Sequence, residues 1–249
     1  MAHDLGAVII TGASRGIGAA IARLAGTRGY PVAVNFLRDR AAAEQVVADI
    51  HAGGSRAAAI QGDVADEDQV ERLFQTAERK LGRIEGLVNN AGIVGSTGRL
   101  ADLQAQDLAH VLSVNVTGTI LCACEAVRRM STASGGTGGV IVNISSLAAR
   151  TGGAGEYVHY AASKGAVNSF TIGLAREVAA EGIRVNAVAP GLIETEIHAA
   201  QPGRLERLAP GVPMQRIGMP QEVAEAVFWL LSREASYTTG AILEVGGGR

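Results

Sequence analysis

Two hydrophobic periods alternate along the chain. Short apolar runs of four to six residues occur at 7–11, 31–36, 56–61, 86–89, 140–145, 184–189 and 241–245. Between them lie amphipathic stretches of 12 or more residues, at 17–29, 40–52, 67–81, 108–130, 157–181 and 221–232. Runs of that length, separated by helical patterns, predict a parallel sheet buried on both faces with helices on each side. Seven strands of this kind predict a single doubly wound α/β domain spanning residues 1–249. The glycine-rich stretch 131–139 reads as a surface loop into the fifth strand. Only 191–220 is long and weakly periodic. It carries Pro202, Pro210, Pro213 and Pro220, and a loop of this length in a compact domain is usually functional.

Composition narrows the class. Hydrophobic residues make up 47% and aromatics only 4%, so the core is aliphatic and rich in alanine. A net charge of -2 gives no electrostatic reason to expect nucleic acid or an anionic membrane as partner. Cys122 and Cys124 stand two apart in an apolar stretch, point to different helix faces, and are expected as small buried hydrophobes. The five histidines form no zinc spacing, so no metal is expected. Without a basic leader or an apolar run near 18 residues, the chain is expected to be soluble and cytoplasmic, with no membrane span.

In an open parallel sheet ligands bind outside the carboxyl ends of the strands, and the unusual residues cluster there. Strand one runs into TGASRGIG at 11–18 and then a helical pattern. Glycine permits a tight turn and close approach, and a helix N-terminus offers free N–H groups to a diphosphate. The spacing is G-x-x-x-G-x-G rather than the usual G-x-G-x-x-G. At the end of strand two no carboxylate appears until Asp39, whereas Arg15 and Arg38 can approach the ribose. Guanidinium groups suit a 2′-phosphate, which favours NADP(H) over NAD(H).

Lysine is rare: of 22 basic residues only Lys80 and Lys164 are lysine. Lys80 sits on a charged helix face and reads as exposed. Lys164 follows Tyr160 by four residues, which sets phenol and ammonium side by side on one helix face. A nearby ammonium favours phenolate and is expected to lower the tyrosine pKa for acid–base work. Strand five ends in Ser145 and Ser146, strand four in Asn89-Asn90-Ala91-Gly92, and Asn115 lies alone in a largely apolar helix, costly unless hydrogen-bonded.

The set TGASRGIG, NNAG, SVN, NISS, YAASK and APG, in this order across the whole chain, resembles the classical short-chain dehydrogenases/reductases. That resemblance implies a Rossmann-type domain and hydride transfer between a nicotinamide and a carbonyl or alcohol carbon. It implies Tyr160 as acid/base, Lys164 lowering its pKa and holding the ribose, Ser146 orienting the carbonyl oxygen, and Asn115 holding Lys164 through a water. It places Gly12, Ser14, Arg15, Gly16, Ile17 and Gly18 at the diphosphate, Asn35 and Arg38 near the ribose, and Asp63 and Val64 at the adenine. Asn89, Ala91 and Gly92 take the adenosine ribose side; Pro190, Gly191, Ile193 and Thr195 take the nicotinamide side. Ser145 competes with Ser146, the second serine being preferred by the family pattern. The Ser146 to Tyr160 gap is one residue longer than the family's commonest spacing, with the extra residue in 152–157. Tyr157 is a rival tyrosine without the i+4 lysine, and His159 is expected in a wall or at the surface.

Length and the C-terminal LEVGGGR look most like 3-oxoacyl-carrier-protein reductases and glucose 1-dehydrogenase-like members. The substrate loop carries Glu194, Glu196, His198, Arg204, Glu206, Arg207 and Arg216. Three functions follow: an NADPH-dependent reductase of a 3-oxoacyl thioester or small ketone, an NAD(P)-dependent sugar or alcohol dehydrogenase, and a non-catalytic NADP-binding protein. Family resemblance also implies a homotetramer built on the alanine-rich helices of Asn115 and Tyr160.

Overall fold

The computed structural model describes residues 6–195 and 203–249. The strands are β1 (Ala7–Ile10), β2 (Val32–Phe36), β3 (Ala57–Gln61), β4 (Ile84–Asn89), β5 (Gly139–Ile144), β6 (Ile183–Pro190) and β7 (Ile242–Val245). They form one sheet in the order β3-β2-β1-β4-β5-β6-β7, and every pairing is parallel. The helices are α1 (Gly16–Thr27), α2 (Arg40–Ala52), α3 (Glu67–Leu81), α4 (Ala105–Leu112), α5 (Gly118–Met130), α6 (Ala148–Thr151), α7 (Val158–Val178), α8 (Arg204–Leu208) and α9 (Pro220–Leu231).

The two faces of the sheet have separate cores, as alternation along a doubly covered strand requires. Val8 and Ile10 of β1 pack with Ile21 and Ala25 of α1, Val46 of α2 and Val227 of α9. Ala7 and Ile9 face the other way, toward Leu73 and Phe74 of α3, Cys122 and Ala126 of α5, and Val178 of α7. Helix starts are set locally: the Asp39 carboxylate accepts from Ala42 N–H at 2.9 Å and that of Asp66 from Gln69 N–H at 3.0 Å. The order reverses between β1 and β4, so the glycine loop after β1 and the NNAG segment after β4 flank one crevice.

Four details depart from the sequence pattern. The helical run anticipated at 108–130 begins at Ala105 and contains a π-turn at Ser113–Thr117, which holds Asn115. This run is long and apolar enough to cross a membrane by length and composition, contrary to expectation. Here it lies on the sheet, with Val111, Cys122, Ala123, Ala126 and Met130 fully buried. Cys122 is buried as expected but Cys124 is exposed, because a two-residue step turns it about 200° around the helix. The long loop after β6 contains the short helix α8.

Candidate active site

Gly12 and Gly16 adopt positive φ, +61° and +54°, and the chain turns through them from β1 into α1. A Cβ on Gly18 would come within 2.4 Å of Asn90 Nδ2 and 2.6 Å of the Gly12 carbonyl, so only glycine fits. The first turn of α1 contains no acidic residue and receives no side-chain cap, leaving its N–H groups and positive dipole end for an anion. The residues therefore fit a dinucleotide diphosphate.

The loop is tied down from below. The Asn90 carboxamide donates to the carbonyls of Thr11 (2.9 Å) and Gly12 (3.0 Å), while the Thr11 hydroxyl accepts from Asn90 and Ala91 N–H, both at 3.0 Å. Asn35 is 2% exposed, accepts from Gly12 N–H at 3.2 Å and donates to the carbonyls of Ile60 and Gly62. The structure thus places Asn35 beneath the loop, with its carboxamide committed to protein partners. Asn89 also turns into the sheet, donating to Thr119 O at 3.2 Å and Asn143 Oδ1 at 3.0 Å. Arg15 and Arg38 are exposed, and among the described residues neither guanidinium engages an ion pair or hydrogen bond. Asp39, the first carboxylate after β2, is committed to capping α2. Asp63 accepts from Ala65 N–H at 2.9 Å, and Val64 packs over Gly118.

Asn115 is fully buried and satisfied. Its Oδ1 accepts from Ile93 N–H at 2.9 Å, and its Nδ2 donates to Ile93 O at 2.9 Å and Ser163 Oγ at 3.0 Å. Ser163 in turn donates to the Tyr160 carbonyl at 2.6 Å. Lys164 is 4% exposed; its Nζ donates to Ile144 O at 2.7 Å and lies 5.8 Å from the Tyr160 ring centroid. Gly92 keeps this space open, since a Cβ there would sit 3.3 Å from Asn115 Oδ1 and 3.4 Å from Lys164 Nζ. The Ser146 hydroxyl accepts from Ala148 N–H at 3.1 Å, and its place beside the Tyr160 phenol favours the phenolate.

Burial reverses the expected titration. It pushes the Tyr160 phenol up to about 12, partly countered by Ser146 beside it, and pulls Lys164 down to about 8. Lys164 does not bring the phenol below its ordinary value in the protein alone, because both charged forms lose hydration at the same place. At neutral pH Tyr160 is therefore a protonated acid.

Other residues fall around this centre. Tyr157 meets Tyr160 edge to face, with centroids 5.7 Å apart. His159 is buried, with Nε2 unpartnered against Gly95, and lines a separate cleft with residues 96–100. Gly152, Gly153 and Gly155 all take positive φ, which absorbs the long gap before Tyr160. Pro190 O accepts from Leu147 N–H, and Gly191 packs so closely on Gly246 that a Cβ would lie 2.8 Å from its Cα. Ile193 bridges to Gly218, closing the base of the long loop after β6, where Arg216 pairs with Glu222 at 2.5 Å. Thr195 is half-buried at the edge of this base; Glu196 and His198 lie outside the described residues. Among the described residues no three His, Cys, Asp or Glu side chains group as metal ligands. Ser163 and Asn168 escaped the sequence reading, although they lie one helical turn from Tyr160 and Lys164 respectively.

A glycine-turn dinucleotide cradle beside a Ser–Tyr–Lys cluster, on a doubly wound sheet, defines a nicotinamide-dependent oxidoreductase fold. The family model described as Enoyl-(Acyl carrier protein) reductase matches residues 12–249. The chain belongs to the short-chain dehydrogenase/reductase family. It is 49% identical over 243 residues to an uncharacterized oxidoreductase, YgfF, of Escherichia coli, covering 97% of this chain and 98% of that one. It is 39% identical to a 3-oxoacyl-[acyl-carrier-protein] reductase of Synechocystis (96% and 95% covered) and 38% to glucose 1-dehydrogenase 2 of Bacillus subtilis (96% and 93%). A short-chain type dehydrogenase/reductase from Mycobacterium marinum superposes with a TM-score of 0.92 at 34% identity, covering 98% of this chain and 94% of that one.

Proposed function

We propose that the protein is an NADP(H)-dependent carbonyl reductase acting on a 3-oxoacyl thioester or small ketone. The observation that carries this reading is the half-buried Tyr160 phenol, an acid at neutral pH, beside Ser146 and one helical turn from the buried Lys164, whose Nζ lies 5.8 Å from its ring centroid. The Gly12–Gly18 turn would hold the diphosphate of a nicotinamide dinucleotide, which when bound would supply hydride to the carbonyl carbon. Ser146 and Tyr160 hold the carbonyl oxygen, and Tyr160 donates the proton that makes it a hydroxyl. Lys164 holds the ribose and keeps positive charge beside the phenolate left behind. Asn115 fixes the Ile93 backbone and, through Ser163, the turn of α7 that carries Tyr160 and Lys164.

The unpaired guanidiniums of Arg15 and Arg38, with Asp39 turned away into its cap, support NADP(H) over NAD(H). Assembly as a homotetramer is part of this reading, and exposed Leu108 and Leu112 on α4 and Ile172 on α7 offer apolar surface for contact with further copies. A monomeric mass at micromolar concentration would contradict that assembly. A second reading, an NAD(P)-dependent sugar or alcohol dehydrogenase, draws on the relative named glucose 1-dehydrogenase 2, as similar as the oxoacyl reductase. The test is NADPH oxidation with an acetoacetyl thioester and small diketones, and NADP reduction with aldoses. Tyr160→Phe should abolish turnover and leave NADPH binding intact; near-normal turnover would refute the role. Binding of NADPH without turnover on any probe would point to a non-catalytic binder.

A further inference from the structure

We propose that Asn168 is a positioning residue that decides which of two adjacent serines serves Tyr160, an inference that rests on the reading of Tyr160 as the acid. β5 delivers Ser145 and Ser146 together at the carboxyl edge of the sheet. Ser145 is 2% exposed, and its N–H is held by Val188 O at 2.7 Å. Its hydroxyl donates to Asn168 Oδ1 at 2.6 Å, with Lys164 O at 3.3 Å as the weaker acceptor. A serine hydroxyl has one proton, and the short contact takes it.

Asn168 lies four residues after Lys164, on the same face of α7. Lys164 Nζ donates to the carbonyl of Ile144, and Asn168 accepts from the hydroxyl of Ser145, the next residue along. One turn of α7 thus holds two consecutive residues of the strand end, by a donor and by an acceptor. Asparagine is a poor residue inside a helix, so helix formation gives no reason for it here. With Ser145 committed, Ser146 has the hydroxyl that remains for Tyr160. Without Asn168, Ser145 is left only Lys164 O, already used by the helix ladder. The strand end then loses its lateral tie and Ser146 its alignment.

The test compares Asn168→Ala, Asn168→Asp, Ser145→Ala and the Asn168→Ala/Ser145→Ala double variant by NADPH oxidation with an acetoacetyl thioester, with Tyr160→Phe alongside. Asn168→Ala should lower kcat on the order of 10-fold, the scale expected for a small misalignment, with KM for NADPH within about twofold of wild type. Asn168→Asp keeps the acceptor and should restore most of kcat. In the Ser145→Ala background, Asn168→Ala should add nothing. A wild-type kcat in Asn168→Ala, an Asp variant as impaired as the Ala variant, or additive losses would each overturn the proposal. If Tyr160→Phe is inactive while Asn168→Ala is normal, this inference fails alone; if Tyr160→Phe turns over, the acid assignment fails with it. Should the wild type not turn over the thioester, a crystal structure of Asn168→Ala decides. Ser146 Oγ displaced from Tyr160 supports the proposal, and an unchanged Ser146 overturns it.

Discussion

Replacing Lys164 with methionine should stabilise the cofactor-free protein at neutral pH while removing its activity. The Lys164 ammonium is almost wholly buried, and burial alone lowers its pKa from 10.5 to about 8. At about 1.4 kcal/mol per pKa unit, the folded state carries a penalty of about 3 kcal/mol for keeping that charge at neutral pH. Below pH 8 the folded and unfolded chains are both protonated there, and the penalty is complete. Between 8 and 10.5 the unfolded chain binds more protons at this site, so stability rises with pH and then levels off. Methionine has similar length and no charge, and removes the penalty at every pH. It also removes the donor to Ile144 O, a loss on the order of 1–3 kcal/mol for a hydrogen bond to a charged group.

The two effects separate by pH. At pH 7 the released penalty equals or exceeds the lost hydrogen bond, and Lys164→Met should match or surpass wild type. By about pH 10.5 only the lost hydrogen bond remains, and the variant should be the less stable, the difference having moved by about 3 kcal/mol across the window. Urea unfolding of both proteins at pH 7, 8.5 and 10, at one fixed protein concentration, measures it. A stability difference that stays constant with pH would show that Lys164 has an ordinary pKa in the folded protein, and would refute the burial reasoning.

Other consequences concern the cofactor cradle and the substrate loop. Arg15→Ala combined with Arg38→Ala should weaken NADPH binding by on the order of 10–100-fold, as loss of charge-assisted hydrogen bonds to a 2′-phosphate requires. NADH binding should barely move, and equal loss for both cofactors by fluorescence titration would argue against a 2′-phosphate site. Gly18→Ala should prevent dinucleotide binding, because its Cβ would meet the backbone oxygen of Gly12 at 2.6 Å, which no side-chain rotation relieves; calorimetric binding at wild-type affinity would count against it. Glu222 is held down to about 2 by Arg216 and the Met219 N–H. Its pairing should therefore persist as pH falls below the ordinary 4.5 and disappear only through about 2. Proteolysis of the substrate loop, faster in Glu222→Gln at pH 7 and in wild type only near pH 2, would report it; equal rates at pH 7 would not fit.

The parts legible in the sequence were those governed by local spacing. Strands such as Val32–Phe36 announce themselves as short apolar runs, and the glycine turn and the Tyr160/Lys164 pair are defined within eight and five residues. Contacts that join distant segments gave no such signal. Ser145 meets Asn168 only because β5 ends against the third turn of α7. The π-turn around Asn115 is equally silent, since one extra residue in a turn hardly disturbs an apolar helical pattern. Asn35 and Asn89 sit at strand ends where a ligand contact was expected, yet both turn inward. The direction of the Tyr160 shift depends on burial, which motif spacing does not contain.

Helix α7 shows why the residues proposed for catalysis also fix the fold. Its buried face is not a simple apolar stripe: Ser163, Lys164 and Thr171 lie among Ala161, Val167, Ala175 and Val178. Each of these three polar groups has a partner on another element or along its own helix. Ser163 meets Asn115, Lys164 meets Ile144 O, and the Thr171 hydroxyl accepts from Asn143 Nδ2 while donating to Val167 O. Small aliphatic residues alone would let such a helix slide along the sheet at little cost, because one alanine or valine packs much like the next. A slip of one turn, about 5.4 Å, would instead separate all three polar groups from these partners at once. The polar partners therefore hold α7 in a single register, and that register is what sets Tyr160 beside Ser146.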